Sequence, residues 1–213
     1  VRAGRPFRIL GGSLFAISLS ISSIGAGIDA DLREIISAQS GIDTLETSFS
    51  QIKVVSLFDE TVEASGTIVI EKPDFYCWRY DEPEPSVFYV DGMRTGSYRP
   101  ESGDRDEVAL DSRIGLAAII RSVTSIITGN LEEETGEDYE ISRGRSSRGA
   151  HSYTFRPRTE ELSSLFSEVT IRFDKRTKLA RELEIVESNG DATHMRFDGW
   201  RTGIAVDRSA LVR

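Results

Sequence analysis

Short runs of β-type sequence, cut by turn residues, dominate the chain and limit what it can fold into. "TSFSQIKVVS" (47–56), "EASGTIVIEK" (63–72), "DFYCWRYD" (74–81), "SVFYVDG" (86–92) and "RTGSYRP" (94–100) are rich in β-branched and aromatic residues. After a break the pattern returns in "DYEISRG" (138–144), "HSYTFRPR" (151–158), "FSEVTIRFD" (166–174), "LARELEIVES" (179–188) and "ATHMRFDGW" (192–200). Asp91-Gly92 and Asn189-Gly190 are the dipeptides that two-residue hairpin turns demand. Consecutive strands joined by hairpins make an antiparallel meander. With about 11 strands it must curl strongly rather than lie flat.

Two segments keep helical period instead. In "DADLREIISAQS" (29–40), Leu32, Ile35, Ile36 and Gln39 share a face, and Asp29 or Asp31 can cap the free N–H groups. In "RIGLAAIIRSVTSIITGN" (113–130), Leu116, Ile119, Ile120, Val123, Ile126 and Ile127 share another, with Gly129-Asn130 as a stop. A mainly β, α+β domain follows: a strongly curved antiparallel sheet with one concave face, which an apolar helix can close. The second helix is either a lid over an apolar cavity or an ordinary core-covering helix. The pattern supports both equally.

The N-terminus reads as a leader. Arg2, Arg5 and Arg8 precede an uncharged apolar stretch from Ile9 to Ile24, and Gly25, Ala26 and Gly27 follow it. That stretch is short for a membrane span and is diluted by Gly11, Gly12 and five serines. The expectation is a cleaved signal peptide over residues 1–27 and one domain over 28–213. Cleavage would take the net charge from −9 to about −12, since three arginines and no acids are lost. An exported chain with a single cysteine, Cys77, has no internal disulfide and must rely on its core. No cysteine follows the apolar stretch to carry a lipid, so a soluble protein outside the cytoplasm, without a lipid anchor, is expected.

Chemistry-bearing constellations are scarce. The acidic balance argues against a nucleic-acid partner. His151 and His194 fall on separate strands with no cysteine nearby, which is not a metal-ligand set. There is no nucleophile elbow, dinucleotide fingerprint or phosphate loop. Glu132, Glu133 and Glu134 read as a solvated run, and Cys77 as a buried thiol among aromatics rather than a redox centre. No catalytic residue, metal or cofactor is expected. What remains is burial of something apolar.

The order and spacing of "SFSQ", "GTIVIEKPDFYCWRY", "VDG…YRP" and "VTIRFD…LELEIVESNGDATHMRF" resemble the LolA family of periplasmic outer-membrane lipoprotein carriers, from about Asp31 to Ala205. The resemblance implies a half-open β-barrel whose concave face is closed by lid helices, and a carrier, not an enzyme, that holds acyl chains of lipoproteins or lipids in an apolar cavity. It would take them from an inner-membrane ABC-type release complex to an outer-membrane acceptor, as a monomer and without a cofactor. An envelope sensor or binding module on the same fold, recognising lipid or a regulatory protein, is the alternative. An enzyme is a third reading, because pigment-pathway enzymes share a related fold, but they are cytoplasmic. The implied cavity and lid residues are Phe49, Ile68, Ile70, Phe75, Trp78, Leu116, Ile119, Ile120, Val123 and Ile127. Period two puts Phe75, Cys77 and Arg79 on one strand face and Tyr76, Trp78 and Tyr80 on the other, so Phe75 and Trp78 both reach the cavity only through a bulge or twist. Lys72 stands where well-studied carriers have an Arg that bonds to the lid backbone. A lysine is a point charge without the planar fork, so the latch is lost or made differently.

Overall fold

The computed structural model describes residues 29–58, 60–92, 94–109, 123–128 and 138–212, with the side chains of 106–109 excepted. Eleven antiparallel strands form one sheet: β1 (Thr44–Val55), β2 (Glu60–Glu71), β3 (Phe75–Glu82), β4 (Ser86–Asp91), β5 (Arg94–Tyr98), β6 (Arg105–Ala109), β7 (Tyr139–Arg143), β8 (Ala150–Pro157), β9 (Phe166–Asp174), β10 (Ala180–Glu187) and β11 (Ala192–Thr202). Their spatial order is β6-β5-β4-β3-β2-β1-β11-β10-β9-β8-β7. The first and last strands are therefore neighbours at the middle, and β6 and β7 are the edges. Strand β6 has no counterpart among the sequence-predicted runs. Its segment, "RDEVA", is too charged to stand out by hydrophobic alternation.

Helix α1 (Ala30–Ser40) begins at Asp29, whose Oδ1 accepts from the Leu32 amide at 2.9 Å. That carboxylate also accepts from the Tyr153 hydroxyl (2.6 Å) and Arg143 (2.7 Å), while Arg143 pairs with Asp31 as well. His151 Nδ1 lies 3.4 Å from Asp31 in the same cluster, and burial lowers its pKa. The cluster pins the N-terminus of α1 to β7 and β8, which lets Leu32, Ile35 and Ile36 enter the concave face. A further helical segment, residues 123–127, adds Val123, Ile126 and Ile127 to the same face.

Alternation along the central strands builds two cores. The concave core contains Leu45, Phe49, Ile68, Ile70, Tyr76 and Trp78 among others. The convex core is small: Val69, Phe75, Cys77, Val87 and Tyr89. It is covered by the chain after β11, through Ile204, Val206, Leu211 and Val212. A C-terminal turn (Arg208–Leu211) holds this strap in place. Arg208 reaches Glu71 (2.6 Å), Asp91 (2.7 Å) and Asp74 (3.2 Å), and its guanidinium lies 5.0 Å from the centre of the Phe75 ring. Gly96 serves this face too: a Cβ there would come within 2.4 Å of the Tyr89 ring.

Phe75 therefore does not line the concave face, contrary to the sequence-based expectation. Strand β3 keeps strict alternation from Phe75 to Arg79 against both neighbours; its register shift lies later, opposite Ser65/Gly66. No bulge intervenes to turn Phe75 inward, so it shares the convex face with Cys77. The Cys77 Sγ lies 3.8 Å from the Leu211 carbonyl, and burial pushes the thiol pKa up to about 12.

Removing residues 204–213 should uncover this face. The expected result is a stability loss of about 2 kcal/mol or more, from re-exposed apolar surface, measured by urea denaturation. Cys77 should also react with an aromatic disulfide reagent far faster than in the intact chain. Equal reactivity in both would mean the strap does not cover it.

Candidate apolar site beneath the helices

An aromatic cluster floors the concave face. Phe49 on β1 meets Trp78 on β3 at 6.0 Å between ring centres and Tyr80 edge-on at 5.2 Å. Tyr80 in turn meets Phe88 on β4 edge-on at 6.1 Å. Gly66 on β2 makes room: a Cβ there would run into the Arg79 carbonyl at 1.9 Å and the Phe49 ring at 3.0 Å. Any larger residue would push the floor apart.

Above this floor lies a cavity of about 310 Å³, bounded by Trp78, Tyr80 and Phe88 on one side and Ile185 and Met195 on the other. Val123 of the helical segment closes it from above. The size is at the lower end of small-ligand sites. One rim is polar, with Gln51, Lys53, Glu187 and Thr193. Lys53 is held there by Glu187 (2.6 Å) and Asp191 (3.7 Å). Tyr80 and Phe88 also border a second cleft of about 230 Å³ that runs out along Glu82, Pro83, Glu84 and Ser86. The cavity thus leads to the end of the sheet that carries the β3–β4 turn. The Tyr80 hydroxyl donates to Gln51 Oε1 (3.2 Å), and burial pushes its pKa up to about 12. The buried Nε1–H of Trp78 has no acceptor among the described residues.

The sequence-predicted residues fall into three groups. Trp78 and Val123 border the cavity, and Phe49, Ile68, Ile70 and Ile127 belong to the concave core beside it. Phe75 lies on the opposite face. Leu116, Ile119 and Ile120 lie outside the described residues. Sequence reasoning missed Phe88, Ile185 and Met195. Their alternation was visible, but which face of each strand would turn inward was not.

Lys72 occupies a distinct position at the end of β2. Its Nζ donates to the Gln39 carbonyl in the last turn of α1 (2.8 Å) and to the Thr128 carbonyl after helical residues 123–127 (3.1 Å). Carbonyls at a helix C-terminus have no partner inside the helix and carry the negative end of its dipole, so an ammonium suits both. Burial lowers the Lys72 pKa, an effect opposed by the nearby Asp43 carboxylate. A compact ammonium with three donors can serve two carbonyls from different directions, which needs no planar fork. Among the described residues, no group of three or more His, Cys, Asp or Glu is placed to hold a metal. His194 is exposed, 3.9 Å from Glu184.

Lys72→Ala should cost about 2 kcal/mol, because two carbonyls lose a charged donor. It should also raise amide exchange at residues 123–128 more than at β8 or β9. Lys72→Arg should largely preserve both. At the rim, Asp191 accepts from the Ser56 amide (3.0 Å), and this hydrogen bond is the first cause of its lowered pKa. A carboxylate with a lowered folded-state pKa stabilises above its ordinary value and stops doing so as pH falls through the lowered one. Exchange at Ser56 should therefore accelerate in acid below the ordinary carboxylate range, and Asp191→Asn should abolish that pH step.

The comparisons with known proteins agree with this architecture. A model of the family "Outer membrane lipoprotein carrier protein LolA" matches residues 40–211. An outer-membrane lipoprotein carrier protein of Pseudomonas entomophila is 22% identical over 199 residues, 92% of this chain and 90% of that one. One from Azotobacter vinelandii is 23% identical over 203 residues, covering 95% and 91%. The crystal structure of a Vibrio parahaemolyticus domain described as outer membrane lipoprotein-sorting aligns at a TM-score of 0.50 and 9% identity. It covers 89% of this chain and 97% of that domain and speaks to the fold alone. With the family's pattern running through eleven strands and both sides of the concave site, the chain belongs to the LolA family of outer-membrane lipoprotein carrier proteins.

Proposed function

We propose that this protein is a periplasmic carrier that shelters acyl chains of lipoproteins or lipids in the concave cavity and moves them from the inner to the outer membrane. The observation that carries this reading is the cavity of about 310 Å³ between an aromatic floor and Val123. Each methylene buried there is worth about 0.8 kcal/mol, so ten give about 8 kcal/mol before the cost of ordering the chain. The Trp78 Nε1–H, without an acceptor among the described residues, is a donor that an ester or amide carbonyl of such a ligand suits.

Release needs a cover whose closed state is only slightly favoured. Two ammonium–carbonyl bonds from Lys72 fit that role better than a large buried interface, because each is modest in net strength. Uptake and release by this route need no covalent step and no cofactor. The donor on this reading is an inner-membrane ABC-type lipoprotein release complex, and the recipient an outer-membrane acceptor. The leader expected over residues 1–27 lies outside the described residues. No helix among the described residues is long and apolar enough to cross a membrane.

The test is direct loading. Protein recovered from the periplasm should yield acyl species in an organic extract by mass spectrometry, and a purified palmitoylated peptide should shift Trp78 emission. Val123→Asp should weaken that binding by about tenfold or more, since it puts a charge on an apolar wall. A folded protein that takes up neither the peptide nor a free lipid, yet captures an envelope regulatory protein, would move the assignment to a binding module.

A further inference from the structure

The large hydrophobic side chains left exposed among the described residues all lie on one hairpin. They are Leu57 (82% exposed), Phe58 (67%), Ile52 (45%) and Val62 (43%). Leu57 and Phe58 sit in the turn joining β1 to β2, where the Phe58 amide donates to the Val55 carbonyl at 3.2 Å. Strand β2 begins to pair with β3 only at Ser65, opposite Glu82. From Glu60 to Ala64 it pairs with β1 alone, so on the β3 side the ribbon stands about 17 Å beyond the β3–β4 turn, while on the other side β11 flanks β1 as far as the Val54–Ala192 pair. Val62 lies across from Lys53, on the face that continues into the cavity, and Ile52 lies on the reverse face. The ribbon is therefore apolar on both sides and at its tip. Its tip is fastened on the β11 side by Asp191, which accepts from both the amide and the hydroxyl of Ser56, the residue before Leu57 (3.0 and 3.2 Å).

This projection stands at the end of the sheet toward which the cavity opens, beside the cleft along Glu82, Pro83 and Glu84. A flat protein partner could cover one face of such a ribbon, but a fluid apolar medium can surround both. Charge narrows the choice of medium. Exposed carboxylates of Glu60 and Glu63 lie on the ribbon and those of Glu82 and Glu84 at the β3–β4 turn behind it, and Lys53 is already paired with Glu187 and Asp191. Anionic headgroups would be repelled rather than drawn in. We propose that the β1–β2 hairpin is a membrane-contacting element, with Leu57 and Phe58 inserting into the interface of a neutral, zwitterionic lipid surface. The mouth of the cavity is thereby set against the acyl layer. This rests on the carrier reading, for which a mouth pressed to lipid lets an acyl chain pass without crossing water.

Flotation with protein-free phosphatidylcholine vesicles tests the idea, using the intact mature protein at low and high salt. Wild type should float with the vesicles at both salt levels, since insertion is apolar. Leu57→Glu/Phe58→Glu should float about tenfold less, while Leu57→Phe/Phe58→Leu floats like wild type. Loading of the palmitoylated peptide should be unchanged in every variant, which also shows that each is folded. If wild type stays with the soluble fraction, if high salt strips it off, or if the double Glu variant floats equally well, the proposal is overturned. In the first of these cases the exposed tip is left to a protein partner. Failure of peptide loading in wild type would instead overturn the carrier reading, whatever the flotation result.

Discussion

Pairing of the first strand with the last gives the protein its shape. Nine residue pairs join β1 to β11, from Leu45–Thr202 to Val54–Ala192, and this seam turns two meanders into one curved sheet. Everything else depends on the curvature it produces. A flat sheet packed against α1 would leave no space beneath the helices. The curved one gathers side chains from β1, β3, β4, β10 and β11 around a shared hollow. The seam also brings the start of β11 beside the β1–β2 turn, so Asp191 can fasten the exposed hairpin.

A curved sheet has a second face, and in this chain that face carries its own small core. Val69, Phe75, Cys77, Val87 and Tyr89 would be a sticky patch if left open. The C-terminal strap covers them, and Arg208 fastens the strap through three carboxylates on neighbouring strands and turns. The two faces are thus treated differently. One is sealed by the chain itself, and the other is closed by α1 and residues 123–127, whose ends Lys72 ties together. That difference in closure separates a structural core from a space a ligand can enter.

Much of the architecture was legible in the residues. The ten strands marked by alternation and turn dipeptides are present with small boundary shifts, and Gly92 and Gly190 take the positive φ their turns require. Asp29 caps α1, and Leu32, Ile35, Ile36 and Gln39 are its buried stripe. Strand β6, rich in charge, escaped the pattern. So did the C-terminal strap, whose apolar residues are too widely spaced for any period to register. The site was only partly readable. Trp78 and Val123 border the cavity, but Phe75 does not, and Phe88, Ile185 and Met195 border it although alternation alone did not say which face of their strands turns inward.

By itself the sequence determined the elements and the two-sidedness of each strand, because period two and the turn residues act locally. In "KPDFYCWRY" it marked Cys77 as a buried thiol among aromatics, and Phe75, Tyr76, Cys77 and Trp78 are all buried. Only the tertiary structure decided which face met the cavity and which met the strap. Alternation assigns residues to opposite sides of a strand without saying which side is concave. That choice follows from the β1–β11 seam and the direction of curl, a property of the whole sheet. The same holds for Lys72, whose two carbonyl partners lie 33 and 56 residues away and meet only once both helices rest on the sheet.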